Sequence, residues 1–181
     1  MSMIKYSLAM YYIIGPAEIS SNLARFDGIR YGSMSKDAST LDELYKQTRA
    51  NGFETENKRR IMIGSYVLSS GFVDAYYEKA QKARTLLIQE YNKLFENFDA
   101  LVSPVAPHPA FKIGDKTNDP ITMYIEDAMT TPVSMAGLPA VSVPVKPTKS
   151  GLPVGMQIIG QLETDAEVLA IAADVEAHIN G

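Results

Sequence analysis

The chain has 181 residues, enough for one domain with a sizeable core, and its 46% hydrophobic and 21% charged residues are those of a globular protein rather than a disordered or fibrous one. It has no cysteine and only two histidines, His108 and His178. That excludes disulfides and thiolate zinc sites, and it leaves little material for a histidine metal centre or a Ser-His-Asp triad. The formal charge of −4 argues against nucleic-acid binding by the chain as a whole.

The opening MSMIKYSLAMYYIIG has no small-x-small cleavage site after it, and its apolar residues run on into AEISSNLAR in helical spacing. No apolar segment approaches the ~20 residues that span a bilayer, so a cytoplasmic protein without membrane attachment is expected. A first helix is predicted over 8–26, with Ile13, Ala17 and Leu23 sharing a face and Gly15-Pro16 kinking or starting it. FDGIRYG then turns the chain. Thr40-Leu41-Asp42-Glu43 is a capping box opening a helix to about Ala50, with Gly52 as a stop. A further helix covers 55–69 and ends at Gly71. The longest covers about 72–97, with Val73, Tyr76, Ala80, Ala83, Leu87 and Leu94 in one stripe.

Leu101, Val102 and Val105 predict a short strand within 99–105, stopped by prolines and followed by a polar loop with Lys112, Asp115, Lys116 and Asp119. Residues 120–129 read as helical. Thr131-Pro132 caps a short helix that Gly137 ends. AVSVPV (140–145) and VGMQIIG (154–160) are the clearest strands, joined by KPTKSGLP as a hairpin. Thr164 and Glu167 form a second capping box before a last helix to about Ile179. Helices followed by mixed strands and helices predict an α/β fold with a thin mixed sheet of about three strands flanked by helices. These strands are apolar on both faces, as in a covered sheet, and need neighbours that the chain does not obviously supply.

No G-x-S-x-G element is present. Ser33-Met34-Ser35-Lys36 fits S-x-x-K but lies in a glycine-flanked loop without S-D-N or K-T-G partners. Ser20 and Ser21 fall mid-helix with no base nearby in sequence, as small residues at a tight helix contact would. Lys58-Arg59-Arg60 opens a helix, where basic residues are disfavoured, and this mismatch favours a function over a merely solvated turn. Glu126 and Asp127 stand in the otherwise apolar YIEDAMTTPVSMAGLP, either on an exposed helical face or at the mouth of a site. An arginine and a carboxylate from separate segments can together hold a free amino acid: the guanidinium pairs with the α-carboxylate and the carboxylate with the ammonium.

YYIIGPAEISSNLARFDGIRYG, GFETENKRRIMIGSYVLSSG, DAYYEKAQKAR, LVSPVAP, MYIEDAMTTPVSMAGLPAVSVP and GLPVGMQIIG together resemble the C-terminal half of the glutamine-hydrolysing subunits of tRNA-dependent amidotransferases, in the amidase signature family. The resemblance covers nearly the whole chain. It implies the C-terminal part of the amidase-signature fold, read as one partial domain over 1–181 whose catalytic N-terminal half is absent. Such subunits hydrolyse glutamine and channel ammonia to a partner subunit, which uses ATP and Mg to convert glutamate mischarged on tRNA(Gln) to glutamine; the related subunit can serve aspartyl-tRNA(Asn). The family nucleophile belongs to a Ser–cis-Ser–Lys triad in a glycine- and serine-rich stretch, and nothing here resembles it.

By position in the matching motifs, the resemblance assigns Tyr11, Arg60 and Asp127 to the α-carboxylate and α-amino group of glutamine, with Tyr12 and Arg59 as the adjacent positions. It implies no catalytic residue, metal or cofactor in this chain. The expected partners are the other amidotransferase subunits, the missing half, L-glutamine and, indirectly, tRNA. Two other readings stand beside it: a non-catalytic module docking to those subunits, and a fragment of another amidase-signature enzyme acting on other amides, which would have little use for Arg60 with Asp127.

Overall fold

The computed structural model describes residues 1–115 and 120–180, apart from the side chains of Pro120 and Asn180. Lys116 and Asp119 of the predicted polar loop lie outside the described residues. The chain divides into two compact units, one of Tyr11–Gln81 and one of Met1–Met10 with Lys82–Gly181.

The Tyr11–Gln81 unit is helical. Helix α1 (Ser7–Leu23) runs through Pro16, where a kink or a start was expected. Pro16 is fully buried and cannot donate to the carbonyl of Tyr12. Helix α2 (Leu41–Gly52) opens on the predicted capping box: the Thr40 hydroxyl accepts from the Glu43 amide at 3.2 Å. The Glu43 carboxylate reaches one residue further back, to the Ser39 amide at 3.0 Å and the Ser39 hydroxyl at 2.5 Å. From α2, Arg49 Nη1 donates to the carbonyls of Leu23, at 3.1 Å, and Phe26, closing the C-terminal end of α1 with a cation. The turn between these helices uses Gly28 at φ +75°, and Asp27 Oδ1 accepts from the Ile29 amide at 2.9 Å.

Helix α3 (Thr55–Val67) meets α1 at Gly64. A Cβ at Gly64 would fall on the Pro16 carbonyl and 2.6 Å from the Cβ of Ser20, so only glycine permits this approach. Beside it the hydroxyls of Ser20 and Ser65 lie 3.0 Å apart. Ser20 is therefore the small residue at a helix crossing that its sequence position indicated; Ser21 is exposed. The single helix predicted over 72–97 is instead a π-helical turn, Val73–Glu78, followed by helix α4 (Lys79–Phe95). The wider turn brings the ring of Tyr76 to 6.0 Å from Phe72, which itself stacks 4.5 Å from Tyr66.

The other unit is built on a three-stranded sheet. Strands β1 (Leu101–Pro104), β2 (Ala140–Val145) and β3 (Val154–Ile159) lie in the order β1-β3-β2, and both pairings are antiparallel. The hairpin predicted through KPTKSGLP joins β2 to β3. Helix α5 (Pro120–Ile125), a 3-10 turn (Glu126–Ala128) and helix α6 (Thr131–Ala136) precede the hairpin; helix α7 (Asp165–Asn180) follows it. Thr130, rather than Thr131, occupies the cap position of α6, and its hydroxyl makes no capping bond. Gly137 ends α6 in the left-handed region at φ +75°, as predicted.

The core of this unit is Val143 and Ile158 of the hairpin against Ala172 of α7, with Val141, Ile171 and Val175 packed around them. β1 and β2 are both edges. Val102 on β1 is 63% exposed, an apolar strand residue without a cover.

Candidate functional site

Lys58-Arg59-Arg60, read from the sequence as the opening of a helix, instead follows the acidic first turn of α3, which begins at Thr55 and carries Glu56. Glu56 precedes Arg60 by four residues, so both face one side of the helix. Arg60 Nε donates to Glu56 Oε1 at 3.1 Å, and Arg59 Nη1 donates to Glu56 Oε2. The Arg60 side chain is 28% exposed and that of Arg59 45%, so Arg60 is the more enclosed of the two. Burial acts to lower the pKa of Arg60. The hydrogen bond that Arg60 donates to Glu56, the nearby phenol groups of Tyr11 and Tyr12 and the charge of Glu56 outweigh it, and the guanidinium ends above its ordinary value. The bond to Glu56 uses Nε, leaving the Nη1 and Nη2 edge as a two-pronged donor for a planar anion.

Tyr11 and Tyr12 come from α1. Their rings meet edge to face, with centroids 5.0 Å apart. Tyr11 lies over Gly15 of the next turn, where a Cβ would stand 3.2 Å from its Cε2. The structure thus brings Tyr11 and Arg60 together within one unit, and adds Tyr12 and Glu56 to them. Asp127 belongs to the other unit.

Asp127 sits in the 3-10 turn between α5 and α6 and is exposed. Its neighbour Glu126 turns the other way: its side chain is 15% exposed and pairs with His108 Nδ1 at 3.3 Å. The two adjacent acids are therefore not equivalent, and among the described residues the carboxylate of Asp127 takes no protein partner. The turn is held from below by Gln157, a residue of β3 whose amide donates to the Met129 carbonyl at 2.7 Å.

Of the serines weighed as nucleophiles, Ser21 is exposed on α1. Ser20 faces Ser65. Ser35 donates to Gln47 Oε1 at 2.9 Å, and its amide to Thr48 Oγ1 at 3.0 Å, which pins the S-x-x-K loop to α2. Among the described residues Ser33 and Lys36 form no hydrogen bond with each other. Nor do any three histidine, aspartate or glutamate side chains gather as a metal site among them, and no helix of the described residues is long and apolar enough to cross a membrane.

Glu56 and Gln157 were not singled out in the sequence, though each leaves a signal there. Glu56 stands at the four-residue spacing that pairs an acid with a following arginine. Gln157 is the one polar side chain in the apolar run VGMQIIG.

Residues 1–169 match the family described as Amidase, and the chain belongs to the amidase family. It is 54% identical over 168 residues to the A subunit of the glutamyl-tRNA(Gln) amidotransferase of Halalkalibacterium halodurans, covering 93% of this chain and 34% of that protein. It is 53% identical over 172 residues to the protein of the same description from Myxococcus xanthus, covering 95% and 35% respectively. The crystal structure of the A subunit of the glutamyl-tRNA(Gln) amidotransferase from Thermotoga maritima matches with a TM-score of 0.64 at 40% identity, over 94% of this chain and 32% of that one. The chain thus spans about a third of the length of the relatives it matches.

Proposed function

We propose that these residues are the C-terminal part of the glutamine-hydrolysing A subunit of a tRNA-dependent amidotransferase, supplying glutamine-binding residues and no nucleophile. Arg60, beside Tyr11, takes the α-carboxylate. Asp127 takes the α-ammonium. The catalytic serine and lysine, in this reading, reside in a segment outside these 181 residues. The other amidotransferase subunits, one of them using ATP and Mg, are its partners. The ammonia goes to glutamate carried on tRNA(Gln), so tRNA is a partner only indirectly.

The observation that carries this reading is the state of Arg60. It is partly enclosed, fixed through Nε by Glu56 and bordered by Tyr11, and it keeps an edge of paired N–H donors for a carboxylate. The resemblance to the amidotransferase A subunits over nearly the whole chain supports reading that carboxylate as the one of glutamine. A carboxylate held by charge-assisted hydrogen bonds contributes about 1.5–3 kcal/mol per bond. Titration calorimetry of the purified chain with L-glutamine should therefore show weak binding that falls about tenfold or more in Arg60→Ala. An unchanged dissociation constant would remove Arg60 from the site, and would favour instead an amidase acting on amides that are not amino acids.

A further inference from the structure

We propose that Gln157 is the positioning residue for Asp127, holding from the sheet interior the turn that presents the carboxylate. The inference rests on the reading above, in which Asp127 takes the ammonium of glutamine.

Gln157 lies on β3, the central strand, opposite Ser103 of β1 and Ser142 of β2. The residue is 4% exposed and its neighbours along the strand are apolar. A primary amide in such a place must find partners inside the protein. Nε2 donates at 2.7 Å to Ser103 Oγ and at 2.7 Å to the carbonyl of Met129, with the Pro104 carbonyl further off at 3.3 Å. The two short bonds use both hydrogens of the NH2 group. Two of the three neighbours are carbonyl oxygens, which only accept, so the nitrogen and not the oxygen of the amide must face them.

One hydrogen thus stays within the sheet, and the other leaves it for Met129. That residue directly follows the Glu126–Ala128 turn and stands two positions after Asp127, in helical backbone at φ −86°, ψ −33°. The Asp127 carboxylate is exposed and takes no partner among the described residues, so nothing at its own tip sets its direction. Its aim comes from the backbone of the turn, and Gln157 fixes that backbone where the turn ends. A polar side chain in a strand core, where a leucine would pack without any hydrogen-bonding requirement, is explained by this task.

The test compares two ligands on the full chain: L-glutamine and 4-carbamoylbutanoate, the same molecule without its amino group. The wild-type chain should prefer glutamine, and Asp127→Asn should abolish that preference. Gln157→Leu should do the same, lowering the affinity for glutamine tenfold or more while that for 4-carbamoylbutanoate stays constant. Adding Gln157→Leu to Asp127→Asn should then lower it no further. Ser103→Ala removes the sheet-side acceptor and spares the Met129 bond, so it should leave both affinities as they are. If Gln157→Leu does not fold, Gln157→Glu preserves shape and offers one proton for two acceptors, and the preference for glutamine should shrink as rising pH removes that proton.

Equal weakening of both ligands by a folded Gln157 variant, or an effect of Ser103→Ala equal to that of Gln157→Leu, would overturn the proposal in favour of a general packing role. So would no effect of the Gln157 variants. A wild-type chain that does not prefer glutamine, or a preference that survives Asp127→Asn, would instead overturn the reading of Asp127, and Gln157 with it.

Discussion

Arg60 and Asp127 carry opposite charges and are held by opposite means. Arg60 is fixed at its head group by an acid one turn back on its own helix. Asp127 is held at its backbone, by a buried amide on a strand, while its carboxylate stands in solvent without a protein partner among the described residues. A long, flexible side chain needs its tip restrained before it can offer two aligned donors, because its rotamer entropy is large. A short carboxylate has little freedom beyond its backbone, so restraining the backbone is enough. Substitutions on helix surfaces should therefore disturb the Arg60 end, and substitutions in the sheet core the Asp127 end.

The strongest way to break the sheet-side support is Ile158→Ala. Ile158 is fully buried at the centre of the hairpin core, and a cavity there should cost about 2–5 kcal/mol in urea unfolding. A loss below about 1 kcal/mol would mean that the core collapses around the gap and that the sheet is not the rigid support assumed for the turn.

Gly64→Ala attacks the helical side. The new methyl group would meet the Pro16 carbonyl and Ser20, and the forced shift should cost about 1–3 kcal/mol. Ser20→Ala, which removes only one hydroxyl of a partly exposed pair, should change stability by less than about 1 kcal/mol and serves as its control.

Glu56→Gln sharpens the contrast. It sits on a helix surface, so stability should move by no more than about 0.5 kcal/mol. Glutamine affinity should nonetheless weaken severalfold, because Arg60 loses the charge that fixes its Nε. If affinity instead stays constant, the guanidinium does not depend on this pairing.

The smallest effect is expected at Glu43, far from either charge in sequence. Hydrogen bonds from Ser39, first from its hydroxyl and then from its amide, hold the carboxyl below its ordinary value of 4.5. The native state thus binds its proton less readily than the unfolded chain does. Its contribution is present above the unfolded pKa and is lost as pH falls through the lower native value. Melting temperatures of Glu43→Gln and wild type should converge as the pH drops below about 4.5, and a gap that widens with acid would contradict the assignment.

Much of this arrangement was legible in the sequence because it is local. The capping box at Thr40, the stop at Gly137, the KPTKSGLP hairpin and the place of Ser20 at a helix contact depend on residues a few positions apart or on the size of one side chain. The π turn at Val73–Glu78 was not legible, since its residues keep an apolar spacing that an ordinary helix would also show. Arg60 stood out because Lys58-Arg59-Arg60 read as the start of a helix, where cations oppose the dipole, but the helix begins at Thr55 with Glu56 in its first turn and Arg60 lies beyond that turn. The separate fates of Glu126 and Asp127 could not be read, because they depend on a histidine 18 residues earlier and a glutamine 30 residues later. Nothing in the local pattern distinguishes two adjacent acids. The register that puts Gln157 opposite Ser103 is a tertiary fact, though a lone amide in an apolar strand marked the position.

The central claim is that these 181 residues hold glutamine and cannot attack it. Ammonia release from L-glutamine by the purified chain, with nothing added, tests this most directly. No release above a heat-inactivated control is expected. Release above that control, lost on substituting Ser20, Ser21 or Ser33, would place a nucleophile within the chain and contradict the claim.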